Sequence, residues 1–529
     1  MYRGILATIV VIGSLLVTAS FAYIVNPGPV VNATVGGVWP RPKYLRSTDN
    51  YFLIDPKNFS ILPVENTCDI LDKAITRYIK IIQSTVHSPI YYPHVVHNGS
   101  GTNVTPAQIL SSLKVNLTSP CEQKPHLKMD EWYFLSTSGT IISHSIWGVL
   151  RALETFSQLV TPYENQMLRV TETHIRDEPR FPHRGLLVDT SRHYISKDIL
   201  FRILDGMAYN KLNVFHWHIV DDHSFPYVSK KFPELSAKGA FRPEMIYTQK
   251  DVADVIEYAR IRGIRVIPEF DVPGHTRSWG VSHPEVLTQC EGSYQGLMGP
   301  MNPIKDVTYQ FIDELFREVQ EVFPDQYIHV GGDEVGFECW NSSTEIVDYM
   351  KKNNISSFSF LQKNFMEKVT RSVTALDNIP IVWQEAMVEN VDMPPGTIVQ
   401  VWTGDWRVLL FMFTKAGHRA LMSECWYLDH LENGGDWKKY YNCEPLDFIG
   451  SEEQKKLILG GEACMWAEVV SDRNILQRIF PRSSAAAERL WSPQHTRNFV
   501  EAQQRLEEHV CRMNLRGIPA QPANGPGIC

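Results

Sequence analysis

From about residue 180 onward, the chain repeats one unit, in which a short apolar run is followed by a stretch with helical spacing. The eight apolar runs span residues 185–190, 213–220, 265–270, 327–330, 380–383, 397–402, 419–423 and 457–461. This alternation predicts βα units and a parallel sheet. Eight units predict an α/β fold with a closed (β/α)8 TIM barrel. A doubly wound open sheet is the alternative, but no glycine-rich phosphate loop opens a helix in this sequence.

Acidic and aromatic residues follow nearly every one of the eight runs. In chain order they are Asp189, Arg192, Asp221, Asp222, Glu269, Asp271, His275, Asp333, Glu334, Trp383, Glu385, Trp402, Asp405, Trp426, Tyr427, Asp429, Glu462, Trp466 and Glu468. The active sites of such barrels are built at the carboxyl ends of the strands. One acid in a loop is weak evidence, because loops are polar. Acids and tryptophans at so many strand ends together predict one functional site.

The fourth run ends in two glycines and two adjacent carboxylates, Asp333 and Glu334. On a regular strand, neighbouring side chains point to opposite faces. Gly331 and Gly332 relax the backbone and could let both carboxylates reach one pocket. Taken alone, the segment fits a Gly-Asp turn that closes a strand as well as it fits a catalytic pair.

Carboxylates between aromatic walls are what a glycosidase needs, because one acid protonates the leaving oxygen and tryptophan faces pack on the sugar ring. A metal-dependent amidohydrolase is the main competitor. His216 and His218 share one face of a strand, with His275 as a third ligand. The structural alternative for the first two is a barrel-interior role, bonded to carboxylates or backbone.

Two further functional classes are less well supported by the residues. A serine hydrolase would need a Gly-x-Ser-x-Gly elbow, which is missing from the sequence, and Cys464 beside Met and Trp is better explained as core. A glycan-binding barrel without turnover would keep its tryptophans but lose the acid, whereas Glu334 is present.

The N-terminal residues predict entry into the secretory pathway. Residues 1–22 combine a basic start, an apolar run and a small-x-small site, as a cleaved signal peptide does. An uncleaved signal anchor is the alternative, and no later segment resembles a membrane span. Residues 23–38 are expected to form an irregular leader. Seven Asn-x-Ser/Thr sequons predict N-glycosylation, at Asn32, Asn58, Asn98, Asn103, Asn116, Asn341 and Asn354.

Residues 39–178 mix short strands with helices predicted at 71–82 and 146–160, without a cluster of catalytic residue types. We expect a smaller α+β domain here, followed by the barrel domain over 179–529. The net charge of −8 argues against a nucleic-acid partner. Nine cysteines in an oxidising compartment predict several disulfides and at least one free thiol.

Five longer motifs closely resemble glycoside hydrolase family 20, which includes animal lysosomal β-N-acetylhexosaminidases. They are His-Arg-Gly-Leu-Leu-Val-Asp-Thr-Ser-Arg-His-Tyr at 183–194, Lys-Leu-Asn-Val-Phe-His-Trp-His-Ile-Val-Asp-Asp at 211–222, Glu-Phe-Asp-Val-Pro-Gly-His-Thr at 269–276, His-Val-Gly-Gly-Asp-Glu-Val at 329–335 and Gly-Gly-Glu-Ala-Cys-Met-Trp-Ala-Glu at 460–468. The resemblance covers nearly the whole chain from residue 39. It implies a lysosomal or secreted enzyme without cofactor or metal, which releases terminal β-linked GlcNAc or GalNAc and forms a homodimer.

The resemblance also implies a retaining, substrate-assisted mechanism, an exception to the scheme with two catalytic carboxylates. Glu334 is then the general acid and later the base. Asp333 holds the N–H of the substrate's acetamide group, whose oxygen is the nucleophile and bonds to Tyr427. The residues implied to bind or surround the sugar are Arg192, Asp221, His275, Trp383, Trp402, Asp429, Trp466 and Glu468.

By the same resemblance, the disulfides are Cys68–Cys121, Cys290–Cys339 and Cys511–Cys529, and Cys464 is a free buried thiol. Cys425 and Cys443 lie outside the family pattern and could pair across the loop after the seventh strand. At Asp429 and His430, one type of family member carries Asn-Arg and accepts negatively charged sugars, and the other carries Asp-Leu, so His430 departs from both. Asp429 would repel an anionic 6-substituent, although His430 could be cationic at lysosomal pH. Neutral sugars are therefore the expected substrates.

Overall fold

A computed structural model of the chain describes residues 34, 37–88, 90, 108–387, 393–430, 432 and 435–524. The predicted signal peptide, most of the predicted leader and Cys529 lie outside these residues. So do the sequons at Asn32, Asn98 and Asn103. No helix within the described ranges is long and apolar enough to cross a membrane.

The N-terminal part is an eight-stranded sheet with two helices against it. The strands are β1 (Tyr44–Ile54), β2 (Ser60–Pro63), β3 (Gln108–Ile109), β4 (Ser112–Leu117), β5 (Tyr133–Ser136), β6 (Thr140–Ser143), β7 (Val160–Pro162) and β8 (Leu168–Asp177). Their order is β2-β4-β6-β5-β8-β1-β3, with β7 beside β8. The helices are α1 (Asp69–Ser84) and α2 (Ile146–Leu159). Both helices and the α+β architecture are confirmed.

The eight predicted barrel strands all form, and they close into one parallel barrel. They are β9 (His183–Asp189), β10 (Val214–His218), β11 (Arg265–Glu269), β14 (Tyr327–His329), β15 (Ile379–Trp383), β16 (Ile398–Val401), β17 (Arg419–Met422) and β18 (Ile458–Met465). Two further strands, β12 (Leu287–Gln289) and β13 (Met298–Met301), form a hairpin outside the barrel. Because β18 pairs with β9, the sheet has no open edge, and the open-sheet alternative is excluded.

Helices surround the barrel, and most present one apolar face to it. They are α3 (Lys197–Tyr209), α4 (Glu234–Gly239), α5 (Gln249–Arg260), α6 (Arg277–Gly280), α7 (Asp306–Val322), α8 (Phe337–Ser342), α9 (Thr344–Lys352), α10 (Phe358–Ala375), α11 (Trp406–Lys415), α12 (Trp437–Asn442), α13 (Glu452–Lys456), α14 (Ile475–Ile479), α15 (Arg482–Trp491) and α16 (Phe499–Leu515). In α7, Phe311, Leu315 and Val319 recur at helical spacing and are buried.

The barrel interior changes character along its axis. Near the amino ends of the strands, seven side chains form an apolar plug: Val214, Ile267, Tyr327, Ile381, Ile398, Leu421 and Leu459. Farther along the strands, the interior holds histidines and carboxylates instead. The plug closes the barrel at one end, and the polar layer lies beneath the opposite end.

Buried ion pairs join the N-terminal sheet to the barrel. Glu131 accepts hydrogen bonds from Arg151 at 2.8 Å and from Arg184 of β9 at 2.6 Å. Lys211 donates to Asp177 at the end of β8, at 2.9 Å. All five side chains are buried. Removing one partner of such a pair leaves an uncompensated buried charge. These contacts therefore stabilise the interface between the N-terminal sheet and the barrel.

Candidate active site

A strained turn brings the two adjacent carboxylates to the carboxyl end of the barrel. Strand β14 ends at His329, and the next residues include Gly331 and Gly332 with φ of 66° and 103°. A Cβ at Gly331 would lie 1.8 Å from Asp271 Oδ1, so only glycine fits there. Glu334 itself has a φ of 47°. The turn therefore directs Asp333 and Glu334 into one pocket, as the glycine pair predicted.

The pocket has a volume of about 350 Å³, a size suited to a small ligand. Its lining residues are Arg192, His275, Asp333, Glu334, Trp402, Thr403, Glu424, Tyr427, Asp429, His430, Trp466 and Glu468. Nine of the eleven residues predicted for the site are in this set. They follow six different strands, so the closed barrel is what assembles them.

The other two predicted residues, Asp221 and Trp383, lie one layer below the pocket and support its lining. Trp383 is 1% exposed and donates its indole N–H to Glu269 of β11 at 2.7 Å. Asp221 is fully buried and pairs with Arg192 at 3.0 Å. Neither side chain is part of the pocket surface among the described residues.

Arg192 forms an ion pair and also lines the pocket. It bonds Asp189 at 3.1 Å and Asp221 at 3.0 Å, and its guanidinium lies 5.0 Å from the centre of the Trp466 ring. Its side chain remains 11% exposed. The two carboxylates fix the guanidinium in place, which leaves its open edge available to a ligand.

His275 stands between Asp221 and the adjacent carboxylates. Its Nδ1 lies 3.2 Å from Asp221, while its Nε2 is 3.6 Å from Asp333 and 3.8 Å from Glu334. Burial alone lowers the pKa of His275, but the charges of Asp333 and Asp221 outweigh burial and raise it to about 9. The ring is therefore an imidazolium at neutral and acidic pH, and it neutralises part of the negative charge around it.

Beneath the pocket, two histidines and three carboxylates alternate across the barrel. His216 contacts Glu462 at 2.7 Å and Glu269 at 3.0 Å. His218 contacts Glu269 at 2.6 Å and Asp221 at 2.8 Å. Burial lowers both histidine pKa values, but the carboxylates outweigh it and raise them to about 9 and about 10. We call this set, completed by His275, the ion chain.

The ion chain bears on the metal hypothesis. Both ring nitrogens of His216 and of His218 face carboxylates, and an imidazolium has no lone pair to give to a metal. No cluster of described residues that could share an ion contains two of His216, His218 and His275. The contacts favour the structural interpretation of His216 and His218.

Aromatic side chains form the apolar walls of the pocket. Trp402 and Tyr427 stack with their ring centres 5.9 Å apart, and the ring of Trp466 lies 6.1 Å from that of Trp383 in the layer below. Such faces suit the C–H side of a pyranose. Burial raises the pKa of Tyr427 well above its usual range, so its hydroxyl stays protonated and can donate a hydrogen bond.

Comparison with known proteins identifies the family and the fold. The model described as "Glycosyl hydrolase family 20, catalytic domain" matches residues 181–494, and the model "beta-acetyl hexosaminidase like" matches residues 38–159. The first match alone covers more than half of the chain.

The chain belongs to glycosyl hydrolase family 20.

Individual members of family 20 match over almost the full length. The human "Beta-hexosaminidase subunit beta" is 43% identical over 508 residues, covering 93% of this chain and 90% of the relative. The bovine "Beta-hexosaminidase subunit alpha" is 43% identical over 533 residues, covering 98% and 97%. The solved chitobiase of Flavobacterium johnsoniae is 29% identical with a TM-score of 0.80, covering 91% of this chain and 73% of the chitobiase. The predicted family and enzyme class are confirmed.

The cysteines of this family 20 chain follow the expected pattern. Cys68–Cys121 and Cys290–Cys339 are disulfides, and so is Cys425–Cys443, which joins the two ends of the loop carrying Tyr427 and Asp429. Cys511 is also disulfide-bonded, but its expected partner lies outside the described residues. Cys464 is free and buried, and burial raises its thiol pKa well above the usual range, so it is a poor nucleophile.

The four sequons within the described residues differ in accessibility. Asn58, Asn341 and Asn354 are exposed, whereas Asn116 on β4 is half-buried. Glycosylation at all seven sites stays a prediction.

The sequence reasoning missed Thr403 and Glu424, and it named Asp271 among the acids after the strands without giving it a role. Thr403 and Glu424 line the pocket, and their position directly after β16 and β17 is the signal that could have found them. Asp271 lies beneath Asp333 and accepts the N–H of Gly332 at 2.8 Å. Burial, followed by the nearby charge of Asp333, raises the pKa of Asp271 well above its usual range.

Proposed function

We propose that this family 20 enzyme is an exo-β-N-acetylhexosaminidase that removes single terminal GlcNAc or GalNAc residues from glycoconjugates. The observation that carries the proposal is the placement of Asp333 and Glu334 on one turn, both facing one pocket. Two carboxylates of an ordinary retaining glycosidase flank the anomeric carbon from opposite sides, about 5 Å apart. Consecutive residues of one turn are better placed to serve neighbouring atoms on one side of a sugar.

Glu334 has the exposure that a general acid at the scissile bond needs, because 60% of its side chain is exposed against 10% for Asp333. In the first step, Glu334 gives its proton to the glycosidic oxygen as the C1–O bond breaks. The acetamide oxygen of the substrate bonds to C1 and forms an oxazolinium ion. In the second step, Glu334 takes a proton from water, and the water oxygen bonds to C1. The bond from C1 to the acetamide oxygen breaks at the same time, which opens the oxazolinium ring. The product therefore keeps the β configuration.

Asp333 and Tyr427 act on the acetamide group in this mechanism. Asp333 accepts the acetamide N–H and stabilises the positive charge that develops there. Tyr427, whose hydroxyl stays protonated, donates to the acetamide oxygen and orients it toward C1. His275 contacts both acids and keeps the local charge in balance. Such prearranged charge is often the largest contribution to catalysis.

The remaining lining residues bind the sugar. Arg192, Asp429 and Glu468 offer charged hydrogen-bond partners for hydroxyl groups. Trp402 and Trp466 enclose the ring, while Trp383 packs against Trp466 and Asp221 holds Arg192 from below. Because the polar layer closes the barrel beneath the pocket, the pocket admits one terminal sugar and the enzyme acts from the chain end.

Neutral sugars are the preferred substrates in this proposal. Five acids line the pocket against one arginine and two histidines: Asp333, Glu334, Glu424, Asp429 and Glu468. This excess of negative charge disfavours sugars with a 6-sulfate.

The wider biological setting is also part of the proposal. The enzyme works in the lysosome or outside the cell, with its N-terminal domain over 39–178 and its barrel domain over 179–529. We also propose a homodimer. In support, Val408 and Met412 of α11 and Ile449 are 51%, 53% and 91% exposed, and the Arg407–Asp447 ion pair joins the two segments. Contiguous exposed apolar groups are typical of interaction surfaces.

Hydrolysis of 4-nitrophenyl β-GlcNAc, with and without EDTA, tests the enzymatic proposal. We expect release of nitrophenol that EDTA does not change. No release, with retained binding of GlcNAc, would favour a glycan-binding barrel, and loss of release in EDTA would favour a metal-dependent amidohydrolase. Sedimentation velocity tests the dimer, which the double variant M412D/I449D should convert to a monomer.

A further inference from the structure

Glu385, one of the acids that follow the barrel strands, contacts the indole of Trp402. The indole Nε1 lies 2.9 Å from Oε1 and 2.9 Å from Oε2 of Glu385, so one N–H is shared by both carboxyl oxygens. Glu385 belongs to the short 3₁₀ turn Gln384–Met387 that follows β15. It does not line the pocket, whereas Trp402 does.

The residue before it, Gln384, holds the backbone of the same tryptophan. Its Oε1 accepts the N–H of Trp402 at 3.0 Å, and its Nε2 donates to the carbonyl of Thr403 at 3.1 Å. Gln384 is 7% exposed, so these bonds are shielded from water. Trp402 is therefore fixed at two points from one turn, with its side chain held by Glu385 and its backbone by Gln384.

We infer that Glu385 is a positioning residue, which acts with Gln384 to hold the indole of Trp402 as a wall of the sugar pocket. This inference rests on the proposed function, because the wall matters only if a sugar occupies the pocket. Without Glu385, the indole N–H loses its protein acceptor and the ring can rotate away from its stacked position on Tyr427. The sugar would then lose part of its apolar contact.

The charge on Glu385 links this wall to the two acids of the pocket. Burial and then the charge of Asp333 raise the pKa of Glu385 to about 7, and Glu334 acts in the same direction. The charged side chains that act on Glu385 are thus Asp333 and Glu334 of the turn after β14, and the imidazolium of His275 lies 3.6 Å and 3.8 Å from these two acids. Below pH 7 Glu385 is a neutral acid, and above pH 7 it is a carboxylate and a stronger acceptor for the indole N–H.

A double-mutant cycle between Glu385 and Trp402 tests the inference. The variants are E385A, W402F and E385A/W402F, and the readouts are kcat and KM for 4-nitrophenyl β-GlcNAc and the Kd for GlcNAc. We expect E385A to raise KM and Kd about 3- to 10-fold, as the loss of one hydrogen bond does, with kcat within about 2-fold. In the W402F background, E385A should change KM and Kd by less than about 2-fold, because phenylalanine has no N–H to hold. Equal effects in both backgrounds, or a fall in kcat without a change in KM, would overturn the inference.

The conservative variant E385Q separates positioning from charge and covers the case in which E385A does not fold. Glutamine keeps an acceptor oxygen but cannot ionise. We expect E385Q to bind GlcNAc like the parent at pH 5 and to lack the change in Kd that the parent shows between pH 6 and pH 8. The exposed Glu338 of α8 provides a matched control, since E338Q removes one acid four residues after Glu334, outside the pocket lining, and should leave the pH dependence of Kd unchanged.

The outcomes distinguish this inference from the proposed function. If the parent binds GlcNAc without hydrolysing the nitrophenyl substrate, the enzymatic proposal fails. The double-mutant cycle measured by the Kd for GlcNAc still decides the role of Glu385. If the parent hydrolyses the substrate and the two substitutions are additive, the proposed function holds and the role of Glu385 is refuted. Absence of GlcNAc binding by the parent would overturn both.

Discussion

The two ends of the barrel are built from the same eight strands but from opposite kinds of side chain. At the amino end, the seven-residue apolar plug is almost completely buried. At the carboxyl end, acids, histidines and tryptophans surround an open pocket. The plug gains free energy by leaving water, whereas the pocket costs free energy by crowding like charges. The comparison shows that stability and chemistry occupy different ends of one fold, as is general for such barrels.

The ion chain separates the two ends and belongs to neither. Its charges are buried like the plug but polar like the pocket, and each is compensated by the next. A buried ion pair is weak evidence for stability, but a broken one is costly. We therefore expect substitutions to affect turnover alone at the pocket, stability alone at the plug, and both in the ion chain.

The largest effect should come from the acid at the pocket. Glu334→Gln removes the proton donor, and we expect kcat to fall by about 10²- to 10⁴-fold for a substrate with a poor leaving group, because general acid catalysis contributes about that much. The melting temperature should not change, since this side chain is largely exposed. Activity assays beside calorimetry check both parts. A melting temperature that falls along with kcat would contradict the expectation that substitutions at the pocket affect turnover alone.

At the plug, Ile267→Ala should have the opposite pattern. Ile267 is 1% exposed, and such a cavity costs about 2–5 kcal/mol of unfolding free energy. Urea denaturation measures the loss, while kcat and KM of the folded fraction should equal those of the parent. Val281→Ala is the control, because Val281 is 53% exposed and should change stability by less than about 0.5 kcal/mol. An altered KM in Ile267→Ala would show that the plug also shapes the pocket.

The ion chain should make stability depend on alkaline pH. The folded-state pKa values of His216 and His218 are raised to about 9 and about 10. Their contribution is complete below the ordinary histidine pKa of about 6.5 and is lost as pH rises through the folded-state values. We expect the unfolding free energy to decline between pH 7 and pH 10. Glu462→Gln removes an anion that raises the pKa of His216 and should weaken the decline; an unchanged curve in this variant would contradict the role of the ion chain.

The smallest effect should come from ion pairs outside the barrel. Lys351 and Asp348 of α9 lie 3.3 Å apart with 73% and 65% of their side chains exposed. Lys351→Ala should change the unfolding free energy by less than about 1 kcal/mol, because solvent screens such pairs. Denaturation in low and high salt checks this. A loss of unfolding free energy as large as that of Ile267→Ala would mean that burial does not explain the difference in stability between the plug and the surface ion pairs.

Much of the fold could be predicted because its signal is local. All eight barrel strands and the two helices of the N-terminal domain follow from apolar runs and helical spacing within short windows. The site was predicted in outline for a related reason: in a parallel barrel every strand ends at the same rim, so residues after each strand must meet. Which of them line the pocket could not be predicted, and Asp221 and Trp383 turned out to lie below it.

The contacts that the sequence could not supply join residues far apart in the chain. His216 and His218 were visible as a pair on one strand, but their partners Glu269 and Glu462 come from β11 and β18. The contact of Glu385 with Trp402 likewise joins the ends of β15 and β16.

By itself, the sequence determined the barrel, the smaller α+β domain, the family and the pair of adjacent acids, because hydrophobic period and motif spacing act over a few residues. Only the tertiary structure decided which histidines carry charge, which carboxyl groups have raised pKa values and which tryptophans line the pocket. Charge and orientation depend on burial and on neighbours within a few ångströms, and those neighbours are chosen when the barrel closes.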